Sequence, residues 1–114
     1  MNDVQRAYLA GLYEGEGCVW LSKDGPTRRV RVTLAMTERV FIDFIKKKLE
    51  EEGIKTCYST QMNNKNVWCK KLQYRLDIND RDDVEKFFIL IPTIRLRKKY
   101  EEIKDEDTRR RKRP

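Results

Sequence analysis

Histidine is absent from this chain, and cysteine occurs three times, at Cys18, Cys57 and Cys69, with no CxxC spacing. Without imidazole there is no Ser/His or Cys/His triad and no histidine-based nuclease centre, and an odd set of scattered thiols makes a poor zinc site. No apolar run approaches the roughly 20 residues of a membrane span, and no signal-peptide core precedes the first helical stretch. The expectation is an intracellular, reduced protein with no membrane partner, cytoplasmic or, if from a eukaryote, organellar. No linker or low-complexity segment interrupts the chain before its end, where Arg109-Arg110-Arg111-Lys112-Arg113 forms a basic run.

What the sequence has in excess is positive charge: 26 Lys and Arg against 19 Asp and Glu, a net +7. That sign favours a polyanionic partner, most simply nucleic acid, although a merely solvated basic surface gives the same sum. A length of 114 residues allows one domain with a modest core, so burying a further face in an oligomer would add stability.

Hydrophobic periodicity gives the order of elements. Asn2 with Gln5 reads as a capping box opening a helix through about Tyr13, with Val4, Tyr8 and Leu12 as its apolar stripe. Cys18 to Lys23 reads as a strand, Asp24-Gly25-Pro26 as a turn, and Arg28 to Thr37 as a strictly alternating strand, with Val30, Val32, Leu34 and Met36 against Arg29, Arg31, Thr33 and Ala35. Thr37 is the expected cap of a second helix with Val40, Phe41, Phe44, Ile45 and Leu49 on its stripe, stopped at Gly53. Ile54 to Met62 and Val67 to Ile78 form a second hairpin around Asn63-Asn64-Lys65-Asn66. Ile54 and Cys57 differ in parity, which leaves open the inward face of the first of these strands. Asn79-Asp80 opens a third helix with Val84, Phe87, Phe88 and Ile91, ended by Pro92, and a short fourth follows from Thr93 with Leu96, Tyr100 and Ile103 on one side. The domain is expected over 1–107, with 108–114 a basic disordered tail that either adds phosphate contacts or is a solvated terminus or localisation-like patch.

One stretch resists a purely structural reading: Leu9-Ala10-Gly11-Leu12-Tyr13-Glu14-Gly15-Glu16-Gly17. Ala7, Gly11 and Gly15 recur every four residues, so one helix face carries almost no side-chain volume. Glycine inside a helix costs roughly 0.5–1 kcal/mol against alanine, and such a face lets another backbone approach closely. Glu14 and Glu16 meanwhile lie at the negative end of the helix dipole, which prefers Lys or Arg. A divalent cation would convert that penalty into an advantage, because helix-end carbonyls and carboxylates are hard oxygen ligands.

These residues resemble the signature of the LAGLIDADG homing endonucleases. Leu9, Ala10, Gly11, Leu12 and Gly17 match letter for letter, Glu14 and Glu16 stand in for aspartates, and Tyr13 and Gly15 fall where the family varies. The order of elements resembles the family's core over nearly the whole chain. The resemblance implies an α+β, αββαββα fold with an antiparallel, saddle-shaped sheet and helices on one face, dimerising through the motif helix. A single motif implies a homodimer with Ala7, Gly11, Leu12 and Gly15 at its interface. It further implies a site-specific, intron-encoded DNA homing endonuclease that makes metal-dependent double-strand breaks with 3′ overhangs at a long, near-palindromic target. Mg²⁺ is the implied cofactor, with Mn²⁺ substituting and Ca²⁺ binding without cleavage.

By the same resemblance Glu16, with the Gly15 carbonyl, is the metal ligand and Glu14 braces the paired helix ends. The acid or amide that positions solvent falls on Glu38, which could equally be a first-turn helical acid. The basic residue near the phosphate falls on Arg97, with Lys98 a substitute, and the same run reads as a basic surface helix. Double-stranded DNA would be met by Trp20, Ser22, Arg29, Arg31, Thr33, Gln73 and Arg75, with Lys71 on phosphates. Trp20 either contacts bases or belongs to the core. Two other classes stay open: a non-cleaving relative acting as an intron RNA maturase or DNA-binding regulator, and a basic structural protein of a ribonucleoprotein particle.

Overall fold

A computed structural model describes residues 1–62 and 72–109. The expected loop Asn63–Asn66, Cys69, Lys71 and the tail from 110 lie outside the described residues. Helix α1 (Asp3–Glu16) leads into strands β1 (Gly17–Asp24) and β2 (Thr27–Met36), then α2 (Arg39–Glu51), β3 (Cys57–Met62), β4 (Leu72–Ile78), α3 (Arg81–Leu90) and α4 (Arg95–Ile103). The strands form one antiparallel sheet in the order β1-β2-β4-β3, so β2 and β4 join the two hairpins at the centre.

Side-chain alternation divides the sheet into two faces. Val19, Val30, Val32, Leu34, Leu76 and Ile78 are buried and form one core with Leu9 and Tyr13 of α1, Ile42, Ile45 and Leu49 of α2, Phe87 and Phe88 of α3 and Leu96 of α4. All four helices therefore cover the same face. Register resolves the parity of β3: Cys57 pairs with Asp77 and Ser59 with Arg75, so Cys57, Ser59 and Gln61 share the polar face, while Tyr58 stacks on Tyr74 on the other. Ile54 is buried, but it lies in the connection before the strand, which starts at Cys57, three residues later than expected.

Several helix details differ from expectation. The capping box forms, with Gln5 N–H donating to Asn2 Oδ1 at 2.8 Å and Asn2 N–H to Gln5 Oε1 at 3.1 Å, but α1 runs on past Tyr13 to Glu16. Its buried residues are Leu9, Ala10 and Tyr13, with Tyr13 packed edge-on to Phe87 at 4.6 Å, while Val4 and Tyr8 are exposed. The motif helix thus has two apolar sides, and the sheet takes only one. On α2, Ile42, Ile45 and Leu49 face the core, whereas Val40, Phe41 and Phe44 are exposed. Thr37 is not its cap: the chain bends at Thr37 after β2 ends at Met36, and the extended Glu38 takes the cap position without a side-chain bond. Gly53 does end the helix segment with φ +78°, a conformation that favours glycine.

The segment 107–109 is tied to the sheet, further along the chain than expected. Asp107 accepts the Val30 N–H at 3.0 Å and pairs with the Arg109 guanidinium at 2.8 Å, and Thr108 exchanges hydrogen bonds with the Arg28 backbone. Thr108 and Arg109, assigned above to the tail, therefore lie along β2 where β4 has ended.

Candidate functional site

Gly17 makes the hinge from α1 to β1. Its N–H donates to the Tyr13 carbonyl, and a Cβ at this position would lie 2.6 Å from Tyr13 O and 2.8 Å from Tyr13 Cδ1. Only glycine lets the chain turn this closely from helix into sheet. Gly11 and Gly15 differ: a Cβ at either would meet nothing within 4 Å, and both lie on the exposed side of α1.

The two motif acids have separate partners. The Glu14 carboxylate accepts the backbone N–H groups of Ile94 and Arg95 at 2.9 Å each and of Leu96 at 3.1 Å. These are orphan amides at the start of α4, whose own cap residue Ile94 offers no side-chain oxygen. Partial desolvation works against its charge, but those amides and the Arg95 guanidinium outweigh it and hold the carboxyl below its ordinary pKa. Arg95 in turn donates to Glu14 O at 2.7 Å and to Gly17 O at 3.1 Å, placing a cation at the negative end of α1. The apparent clash of an acid with the helix dipole is thus resolved inside the chain. Within one copy, the helix end that Glu14 braces is that of its own α4, whose amides engage both carboxylate oxygens.

Glu16 ends α1 exposed and makes no hydrogen bond or ion pair among the described residues. Gly17 pairs with Leu34 at the start of β1, so Glu16, the last residue of α1, lies at the end of the sheet where Ala35 pairs with Arg75. Glu38 is exposed and leaves β2 at this same end of the sheet. Among the described residues of one copy no three Cys, Asp or Glu side chains come together as a metal site. What one copy offers is one free carboxylate and the Gly15 carbonyl, hard oxygen donors that fit a cation such as Mg²⁺ only when further donors come from elsewhere.

Arg97 and Lys98 are both exposed on α4. Arg97 lines a surface groove with Glu85 and Glu101, whereas Lys98 and Lys99 follow Arg95 at helical spacing on the side of the motif. Arg95 itself, which the sequence reading passed over, is the basic residue in contact with the motif. No local signal could have found it, since Glu14 and Arg95 are 81 positions apart.

The polar face of the sheet brings together Trp20, Arg29, Arg31, Thr33, Gln73 and Arg75. Trp20 belongs to this face and not to the core. Its Nε1–H donates to Thr33 Oγ1 at 2.9 Å, and the Arg75 guanidinium lies 5.8 Å from its ring centroid. Arg31 Nη1 donates to Asn79 Oδ1 at 2.8 Å. Ser22 is the exception: it lies on this face but is buried, 8% exposed, opposite Arg29, so the expectation that it meets DNA directly is not supported by its position. Asp77 also sits on this face, at its centre, although it is not among the residues expected to meet DNA.

A four-stranded antiparallel sheet with one face under helices, the other lined with Arg, Thr and Trp, and an acidic motif helix at its end defines a recognisable class. The sequence matches the LAGLIDADG-like domain over residues 3–92, and the chain belongs to that family. Its fold is similar to the LAGLIDADG meganuclease I-AabMI, solved bound to uncleaved DNA (16% identity, TM-score 0.57, 93% of this chain and 38% of that one). It is also similar to the archaeal intron-encoded homing endonuclease I-Vdi141I, solved with DNA (17% identity, TM-score 0.54, 75% of this chain and 54% of that one). A third similar fold is the homing endonuclease I-TnaI (17% identity, TM-score 0.50, 76% of this chain and 59% of that one). The chain spans less than two thirds of each of these proteins. No curated protein matches it.

Proposed function

We propose that this chain is one half of a homodimeric, metal-dependent DNA endonuclease that cuts both strands of a long, near-palindromic site, leaving 3′ overhangs. The observation that carries the reading is the position of Glu16: a free carboxylate at the foot of an arginine-rich sheet face, on a helix whose outer side has no side-chain bulk at Gly11 and Gly15. Two copies packed on that side would bring two Glu16 carboxylates and two Gly15 carbonyls together and would join the polar faces into one surface.

Each element of the reading has a chemical reason. Glu16 and the Gly15 carbonyl would hold Mg²⁺, which when bound supplies water activation and charge neutralisation for phosphodiester hydrolysis. Glu38, at the same end of the sheet, would orient solvent, and Lys98 on the motif side of α4 would meet the scissile phosphate, with Arg97 its alternative. Arg29, Arg31 and Arg75 carry the donors that pair with guanine edges, and Gln73 those that pair with adenine. The similar structures solved with DNA support a duplex as the ligand.

Because Glu14 serves α4, cleavage depends on Glu16 alone of the two motif acids. The test is cleavage of a randomised or genomic DNA library with Mg²⁺ by wild type and Glu16→Gln. Expected are staggered cuts at a near-palindromic site, slowed at least on the order of 100-fold in the variant while DNA binding persists. Binding without cutting by either protein would favour the regulator or maturase reading, with RNA as the next ligand to try.

A further inference from the structure

Asp77 lies at the middle of the polar face, where an acid works against phosphate binding. The surrounding strands carry Arg29, Arg31 and Arg75, and Asp77 itself is only 13% exposed. Its Oδ1 accepts the Thr33 hydroxyl at 2.7 Å and Arg75 Nε–H at 3.0 Å. Thr33 Oγ1 in turn accepts the Trp20 indole N–H at 2.9 Å. The direction of this chain is forced, because an indole nitrogen can only donate and a carboxylate can only accept, so the threonine hydroxyl must relay between them. Arg75 closes the group by lying over the Trp20 ring at 5.8 Å. Three strands are thereby tied together by one carboxylate.

We propose that Asp77 is the positioning residue of the base-reading face. It holds Arg75 by Nε, which directs the two terminal nitrogens outward as a fork matched to the O6 and N7 edge of a guanine and keeps the side chain from turning to a phosphate. Through Thr33 it also fixes Trp20 beside that fork. Among the described residues only Nε of this guanidinium is engaged in a hydrogen bond, so both terminal nitrogens are available. The inference rests on the DNA-binding reading above and adds to it a residue that sets specificity without itself being required to touch DNA.

The experiment is selection from a double-stranded DNA library, randomised across both half-sites, in Ca²⁺ so that bound DNA stays intact. Wild type, Asp77→Ala and Arg75→Lys are compared, and folding is checked by circular dichroism. Wild type should enrich guanine at one symmetric pair of positions. Asp77→Ala should lower that preference about tenfold or more, leave other positions unchanged, and steepen the salt dependence of binding by about one counterion as Arg75 moves to a phosphate. Arg75→Lys keeps the charge but loses the fork, and should lose preference at the same pair. An Asp77→Ala profile identical to wild type, or a loss spread evenly over all positions, would overturn the assignment. Wild type that binds duplex DNA without base preference would remove this inference and leave the DNA-binding reading standing, whereas wild type that binds no DNA would remove both.

Discussion

Two residues of one motif, Glu14 and Glu16, are chemically alike and two positions apart, yet a helical step of about 200° sends them to different neighbourhoods. Glu14 meets the amides of α4, and Glu16 meets solvent. Gly17 has no such freedom, because its missing side chain is what lets β1 leave α1 against Tyr13. Gly17→Ala should therefore destabilise the chain by about 1–3 kcal/mol, since the obstructing atom is backbone oxygen and cannot move aside cheaply. Denaturant midpoints for the two proteins would measure this, and equal midpoints would show that the hinge relaxes. That Gly17 matters was legible in the motif, but its reason, a close approach to Tyr13, was not.

Among the elements, α4 is the one whose start depends on another part of the chain. Its own cap position holds Ile94, the Thr93 hydroxyl is buried without a hydrogen-bond partner among the described residues, and Glu14 supplies the missing acceptor. Glu14→Gln keeps one acceptor oxygen but turns an NH2 group toward an amide the carboxylate had satisfied, and should cost about 0.5–2 kcal/mol, the range for N-cap substitutions. The sign of the pH effect follows from its lowered pKa. Stabilisation is fully present above the ordinary glutamate value of 4.5 and is lost as pH falls through the lower folded value. The gap in stability between wild type and Glu14→Gln should therefore be wider at pH 7 than at about pH 3. A gap that does not change with pH would contradict the capping role. The helices α1 and α2 teach the complementary lesson. In α1 the apolar stripe at Val4 and Tyr8 is exposed while Leu9, Ala10 and Tyr13 are buried, and the α2 stripe divides between buried Ile45 and Leu49 and exposed Val40, Phe41 and Phe44, because a run of apolar residues around a helix does not say which neighbour each one meets.

For the whole molecule, the exposed sides of α1 and α2 form a continuous apolar surface. Val4, Tyr8, Val40, Phe41 and Phe44 line a shallow groove, with Tyr8 and Phe44 edge-on at 6.3 Å, next to the bare face at Gly11 and Gly15. An isolated chain gains nothing from this surface, whereas a two-fold dimer would bury it. Gly11→Leu separates the two cases, since the chain itself has room for the side chain and a close helix pair does not. The variant should stay folded but dissociate to monomers, with a dimer dissociation constant raised about tenfold or more, as read by sedimentation. A wild type that is monomeric at all concentrations, or a variant as dimeric as wild type, would refute the arrangement.

The order of elements, the two-faced alternation of β2 and the motif could all be read from the amino-acid sequence, because they are written in local periodicity and in a short contiguous pattern. The same sequence also requires the chemistry to do without imidazole. Packing of the folded chain was needed to show that Glu14 and Arg95 join α1 to α4, that Asp77 draws Thr33, Arg75 and, through Thr33, Trp20 into one group, that Ser22 is covered, and that Thr108 and Arg109 lie along β2. Each of these depends on residues far apart in the chain or on adjacent strands, and sequence periodicity carries no information about which distant group will satisfy a given donor or acceptor once the sheet has closed.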